Sequence, residues 1–343
     1  MSETKRQTEL DVLRLLATLA VIMIHGGLDP HTDSSIVQRI YWGIHASIVW
    51  CVPVFFMISG RFFLDPTRNI GIQKVLTKYI PHIAIPFFVW SFVYTIYYVL
   101  TGSYDNLNIF GILAEFIHGP YHLWFLYTLT GLYLLTPLLR KIAADEKALI
   151  YFLFLFAVVN VTVEYLIYLP KVGGILAECI ERVGLQVVSR YTGYYLLGYY
   201  LYHIKDHMSQ KAETAVYLLG IMMFVVTIAA ECFGSAEWRE TDFVKQYMKP
   251  NVILYSAALY TFFLKRVSRL SFSEKTRRLF AILTDCGFGV YCIHALLNEC
   301  LPMRFLPALP FVTSILRVMS LYLISLALTY LIRKIPYIGK KIT

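Results

Sequence analysis

Charge is scarce in this chain. Only 15% of its 343 residues are Asp, Glu, Lys or Arg, against 58% that are apolar or aromatic. Soluble domains carry about 25% charged residues, so the shortage excludes an ordinary water-soluble globule. With a mean hydropathy of +0.60, it indicates a polytopic membrane protein. Informative cysteine spacing is also missing. Cys51, Cys179, Cys232, Cys286, Cys292 and Cys300 form neither a CxxC motif nor a metal-ligand pattern, so no metal site is expected and the thiols read as small packing residues. A Cys179–Cys232 disulfide on the outer side stays open. No stretch rich in Pro, Gly or Ser divides the chain, no repeat is evident, and no soluble segment is long enough to fold alone. One domain over 1–343 is expected. The first apolar run lacks a small-x-small cleavage pattern and exceeds a signal h-region, so it is expected to stay as a permanent span.

What remains is apolar sequence in long runs, bordered by many of the 26 Tyr, 23 Phe and 5 Trp, whose rings favour the headgroup level. The runs at 10–28, 40–63, 79–100, 121–138, 148–169, 187–203, 212–233, 251–264, 279–301 and 311–331 each approach the roughly 20 residues a crossing helix needs. The expected fold is therefore all-α, a bundle of about ten transmembrane helices. Pro53, Pro86 and Pro137 fall inside these runs, where bundle neighbours can satisfy freed carbonyls. The outer loops 101–120 and 170–186 hold apolar stretches suited to the interface.

The formal charge of +9 is not gathered into a nucleic-acid patch, and no nucleic-acid partner is expected. Its Lys and Arg fall in alternate short loops. Inner segments carry Lys5 and Arg6, Arg61 to Lys78, Arg140 to Lys147, Lys205 and Lys211, Lys265 to Arg278, and Arg333 to Lys341. Outer segments carry Arg39, Lys171, Arg182, Arg239, Lys245, Lys249 and Arg304. The bias is roughly three to one, which by the positive-inside rule places both termini in the cytosol.

Within that frame the first span is unusual. It holds Arg14 near its cytosolic end and His25 in its outer half, eleven residues apart. Eleven steps of 100° return nearly to the starting azimuth, so both side chains share a face, separated by roughly 16 Å along the axis. Ionisable groups in hydrocarbon are costly and mark function. Each also has a plainer explanation. Arg14 can snorkel to the headgroups with Asp11, its i,i+3 neighbour, neutralising the helix base; His25 can bond an adjacent helix, or act as a general base on a hydroxyl.

Four further groups qualify as site candidates. Ser59-Gly60-Arg61 ends the second run with either a small-residue notch or a local break. Lys74 and Lys78 follow at i,i+4, and with Arg14 and Arg61 they suit a phosphate-bearing cofactor from the cytosol. His122 and Trp124 open the fourth run, as interfacial anchors or as site residues. Tyr291 and His294 lie three apart in the ninth run, bracketed by Asp285 and Glu299, so that helix is expected to line a polar interior. Glu164, Arg190, Glu231 and Arg317 sit near helix ends, where topology can accommodate them. On physical grounds alone a small-solute permease or a polysaccharide exporter fits as well as an enzyme.

Leu-Asp11-Val-Leu-Arg14 followed after ten residues by His25 resembles the Arg/Lys-x10-His signature of the acyltransferase-3 family, bacterial integral-membrane enzymes that O-acylate surface glycans. The resemblance continues through Val52-Pro53-Val-Phe-Phe-Met-Ile-Ser59-Gly60, Tyr121-His122-Leu-Trp-Phe and Gly-Val-Tyr291-Cys-Ile-His294-Ala-Leu, in the family's order. The Tyr-His-Leu-Trp-Phe block is most similar to that of the enterobacterial common antigen O-acetyltransferase group. The resemblance implies a multi-pass protein of the bacterial inner membrane, with acetyl-coenzyme A as acyl donor and His25 with Arg14 as the essential pair. It also implies a glycan or lipid-linked sugar acceptor. Arg14, Ser59, Arg61, Lys74 and Lys78 would face the donor, while His122, Trp124, Tyr291 and His294 would bind sugar or orient the base. One departure stands out: relatives often carry Arg-x-x-Arg before the third span, where this chain has Lys74, Lys78 and His82, and Lys lacks the bidentate fork of Arg. The superfamily also includes the membrane module of vancomycin-resistance serine racemases, linked to serine uptake, although no soluble catalytic domain follows Thr343 here.

Overall fold

The computed structural model describes residues 6–27, 35–104, 107–184, 190–234, 245–301 and 309–343, and among them every regular element is helical. Lys5, Leu28, Gln186, Val187, Arg239 and Arg304, which carried expectations above, lie outside the described residues. In chain order the main helices are α1 (Thr8–Gly26), α2 (Ser35–Ile48), α3 (Cys51–Phe63), α4 (Ile80–Leu100), α5 (Ile109–His118), α6 (Trp124–Ala144) and α7 (Glu146–Glu164). They continue with α8 (Gly173–Val183), α9 (Tyr191–Ile204), α10 (Gln210–Phe233), α11 (Pro250–Lys265), α12 (Glu274–Cys300) and α13 (Pro310–Arg333).

Seven segments are long and apolar enough to cross a membrane: Ser35–Phe63, Ile72–Leu100, Tyr121–Ala144, Glu146–Glu164, Gln210–Phe233, Glu274–Cys300 and Pro310–Arg333. The architecture is a polytopic all-helical one. The other three expected spans are α1, α9 and α11, and they differ for a physical reason. Helix α9 has 14 residues and α11 has 16, which at 1.5 Å each rise only about 21 and 24 Å. Helix α1 carries Glu9, Asp11 and Arg14. All three are interior helices. In α9, Thr192 to Leu196 are buried in unbroken succession, which requires protein on every side of the helix. The flanking helices α10 and α13 instead leave Leu218, Ile221, Val225, Ile315 and Leu323 exposed, as helices do where the solvent is hydrocarbon.

Local sequence explains the joints. Pro53 offers no N–H to the Val49 carbonyl, and the second expected run accordingly parts into α2 and α3 at Val49-Trp50, its ladder resuming with Val54 N bonded to Trp50 O at 3.1 Å. Pro86 and Pro137 stay inside α4 and α6. Ser59-Gly60 is a notch, not a break. A Cβ on Gly60 would stand 1.8 Å from Tyr195 O, and one on Gly198 would stand 2.1 Å from Met57 O. Helices α3 and α9 therefore cross backbone to backbone, an approach only glycine permits.

Helices α1 and α12 run side by side in the same direction. Thr284 Oγ1 donates to Asp11 O at 3.2 Å and Asn298 Nδ2 donates to His25 O at 3.1 Å, both across the same sequence offset. Constant offset keeps the two helices in step from Asp11 to His25.

Glu164 and Glu231, read above as tolerable helix-end charges, are ion-pair partners of buried lysines: Glu164 meets Lys249 at 3.2 Å and Glu231 meets Lys245 at 3.3 Å. The rings of Tyr165 and Tyr168 flank the Lys249 ammonium. All six cysteines are free. The Cys179–Cys232 bond does not form, because Cys232 Sγ turns to α2 and donates to Arg39 O at 3.3 Å while Cys179 is exposed on α8. The two outer loops do form helices, α5 with no buried residue and α8 with only Gly173 buried.

Candidate functional site

A cavity of about 400 Å³ runs along α1, and its wall contains both Arg14 and His25. Thr18, Val21 and Ile22 continue the stripe between them, as residues three and four apart on one helix face must. Helix α12 supplies the facing wall with Leu283, Thr284, Asp285, Gly287, Phe288 and Tyr291, while His294 and Glu299 of the same helix are not part of it. Ser59 of α3, His82 of α4, and His122, Trp124 and Phe125 at the start of α6 complete the enclosure.

Three imidazoles gather at the His25 end. The His25 ring lies 5.5 Å from that of His294 and 6.5 Å from that of His122, and the latter two are 5.3 Å apart. They come from α1, α12 and the turn before α6, so only tertiary packing joins them. Tyr291 Oη donates to His122 O, which fixes the backbone of that turn. Tyr94 of α4 holds the opposite side: its hydroxyl stands 3.4 Å from His122 Nε2, donates to Cys292 O at 3.1 Å and accepts from Leu296 N at 2.7 Å. The backbone of His25 is tied by Asn298, whose amide oxygen is held in turn by Arg317 at 2.8 and 3.1 Å. Trp124 lies near-parallel to Tyr247, centroids 6.1 Å apart, and forms an aromatic wall.

The Arg14 end is ionic. Asp11, expected to pair with Arg14, binds Arg6 at 2.5 Å and keeps Arg14 at a looser 3.8 Å. Arg6 also reaches Asp285 at 2.9 Å and Ala281 O at 3.1 Å, clasping α1 to α12. The Arg14 side chain remains 32% exposed with its guanidinium 4.9 Å from the centre of the Phe62 ring, leaving donors available to an anion. Arg61 and Arg68 approach the same ring at 5.7 and 4.7 Å. Arg61 does not line the cavity. It binds Asp65 at 2.6 Å and stacks on Tyr202 at 3.3 Å. Partial burial works against the Asp65 carboxylate, but bonds from Thr67 and Arg61 hold it below the usual carboxylate range. Lys74 and Lys78 lie outside the cavity wall, on exposed turns leading into α4. Lys74 bonds Asn69 O at 2.9 Å, and Lys78 sits 5.8 Å from the Tyr79 ring.

The structure thus assembles Arg14, Ser59, His25, His122, Trp124 and Tyr291 around one space, with His294 packed behind the imidazoles and Asp11 beneath Arg14. It leaves Arg61, Lys74 and Lys78 outside. Sequence reasoning missed Tyr94, Tyr247 and Arg6. Tyr94 lies in an aromatic-rich run where any tyrosine reads as an interfacial anchor, and nothing local singles it out. Among the described residues no group of three or more His, Cys, Asp or Glu is arranged to hold a metal ion.

A polytopic helix bundle that encloses a cavity with a guanidinium at one end and clustered imidazoles at the other defines a membrane protein equipped for group transfer or solute passage. The family model described as Acyltransferase domain, Acyl_transf_3, matches residues 7–334. The chain belongs to the acyltransferase-3 family, and it is a multi-pass membrane acyltransferase. No curated protein and no solved structure matches the chain.

Proposed function

We propose that this protein is an O-acetyltransferase of the bacterial cytoplasmic membrane. It takes the acetyl group of cytosolic acetyl-coenzyme A and passes it to a hydroxyl of a surface glycan or its lipid-linked precursor. The observation that carries the reading is that one continuous cavity has both Arg14 and His25 in its wall. Their separation along α1, roughly 16 Å, is comparable to an extended pantetheine arm. Donor phosphates held at Arg14 therefore leave the thioester within reach of His25. Ser59 lies along this path, and Arg61, Arg68, Lys74 and Lys78 add positive field around the mouth.

In the direct route His25 takes the proton of the acceptor hydroxyl as its oxygen attacks the thioester carbonyl. The C–S bond then breaks, and the coenzyme A thiolate leaves to be protonated. In the two-step route a His25 nitrogen attacks first, the thiolate leaves, and the acceptor oxygen displaces the acetyl group from the imidazole. Both demand a neutral imidazole, and the aromatic surroundings of Tyr121, His122 and His294 disfavour a charged one.

The test uses purified protein in nanodiscs with radiolabelled acetyl-coenzyme A and a bacterial glycan fraction. Acetyl incorporation that disappears in His25→Ala, with the variant still inserted and monodisperse, supports the reading. Equal activity in the wild type and His25→Ala ends it. Solute uptake into vesicles without acetyl transfer replaces it with a permease.

A further inference from the structure

One carboxylate stands between two guanidiniums at the ionic end of the cavity. The Asp11 side chain is only 5% exposed, and a carboxylate taken out of water needs a cation and hydrogen bonds in return. Arg6 and Arg14 are both near, and they share it unequally. Arg6 Nε donates to Asp11 Oδ2 at 2.5 Å, and Arg6 Nη2 reaches Oδ1 at 3.4 Å, the two-pronged grip that a guanidinium offers a carboxylate. Arg14 Nη1 stands 3.8 Å from Oδ1, beyond hydrogen-bond distance.

The chain leading into α1 explains why Arg6 holds the carboxylate. Gln7 precedes the helix in an extended conformation, and its carbonyl accepts from Leu10 N and Asp11 N at 3.1 Å each. The Gln7 side chain donates to Tyr202 Oη of α9 at 2.9 Å, which pins the segment. Arg6 is thereby carried to the flank of α1 that meets α12, where its Nη2 also donates to Asp285 Oδ1 at 2.9 Å and to Ala281 O at 3.1 Å. Arg14 and Asp285 both line the cavity. An anion arriving at Arg14 therefore meets a carboxylate of the same wall, and the Arg6 charge offsets it.

We infer that Arg6 is the positioning residue that keeps the Arg14 guanidinium free for an anion, by satisfying Asp11 in its place and offsetting Asp285. Without the Arg6 guanidinium, Asp11 stays buried with Arg14 as its nearby cation. The 3.8 Å gap then closes, and the Arg14 donors are withdrawn from the cavity. The inference rests on the acetyl-transfer reading for naming the anion as coenzyme A, but not for the exchange of partners between the two arginines.

Two measurements on the full-length protein in nanodiscs test it. The first needs no ligand: the rate at which phenylglyoxal modifies Arg14, read by mass spectrometry. Arg6→Ala is expected to slow that modification about tenfold, and Arg6→Ala/Asp11→Asn to restore it. Asp11→Asn alone breaks the same ion pair from its other side, yet Arg14 should then react at least as fast as in the wild type. An unchanged rate in a folded Arg6→Ala protein, or a slower one in Asp11→Asn, overturns the inference. The second is coenzyme A binding by calorimetry, with donor kinetics. Arg6→Ala should weaken binding and raise donor KM about tenfold with kcat changed less, and the double variant should regain most of the affinity. A clasp that merely ties α1 to α12 gives the opposite result, because the double variant still lacks it; affinity that stays low there overturns the positioning role. Labelling that shifts as expected in a protein that never binds coenzyme A would sink the donor reading and keep the role of Arg6.

Discussion

At the Arg14 end of the cavity, charge answers charge: Arg6 spans Asp11 and Asp285, and Arg14 rests against Phe62 with Asp11 at 3.8 Å. At the His25 end no carboxylate among the described residues lines the wall, and three imidazoles stand among Tyr94, Tyr121 and Tyr291. The first arrangement holds its shape through ion pairs that a polyanion can rearrange. The second holds its shape through tyrosine hydroxyls and backbone carbonyls. One end is therefore suited to gripping a charged donor and the other to proton transfer at a neutral hydroxyl. In the proposed reaction two chemically unlike substrates meet in one space because the wall changes character along a single helix.

This contrast breaks first at His25. His25→Ala is expected to lower acetyl transfer by about 10²- to 10⁴-fold, the range of a lost general base, with donor KM little changed. A larger loss from Arg14→Ala than from His25→Ala in the same labelled-donor assay would invert the division of labour. Arg14→Ala is expected to raise donor KM about 10- to 100-fold, the weight of charged hydrogen bonds. Arg14→Lys should fall between it and the wild type, since the charge survives and the fork does not. Steady-state kinetics over a donor concentration series separate the two. The pair Lys74→Ala, Lys78→Ala sharpens the boundary of the ionic end. Both groups lie outside the cavity wall, and the double variant should change donor KM by less than about threefold, a loss of long-range field only. A larger shift would extend the donor site to the turns before α4.

The smallest effect concerns stability. Asp65 is held below its ordinary range by Thr67 and Arg61, so its contribution is present above the unfolded carboxylate value near 3.9. It is lost as pH falls through the lower folded value. Asp65→Asn should lower Tm by about 2 °C at pH 7, and the gap from wild type should narrow progressively as pH falls below about 3.9 toward the lower folded value. A gap that does not narrow as pH falls would assign Asp65 a role other than its ionic one.

The stripe from Arg14 to His25 was legible because both residues belong to one helix, and a helix of known pitch fixes azimuth and rise from sequence spacing alone. Tyr291 and His294 were legible for the same reason. The meeting of His25, His122 and His294 was not, since three separate chain segments contribute, and no local period relates them. Lys74 and Lys78 suit a phosphate because they are basic and lie on the cytosolic side before α4, but spacing could not show that the turns leading into that helix place them outside the cavity wall. Lys245 and Lys249 counted as outer-loop charges, yet they are buried against glutamates on other helices, a pairing that hydropathy cannot anticipate.

By itself the sequence determined that this protein lives in a membrane as a helix bundle, because a bilayer leaves a chain so poor in charge few other ways to satisfy its backbone. It also determined that α1 would carry a guanidinium and an imidazole on one face, since helical geometry is local. Tertiary structure alone decided which helices would be sheathed in protein and which imidazoles would meet His25. Those outcomes depend on contacts between residues hundreds of positions apart, such as Asn298 with His25 and Leu296 with Tyr94, and they exist only once the helices are packed.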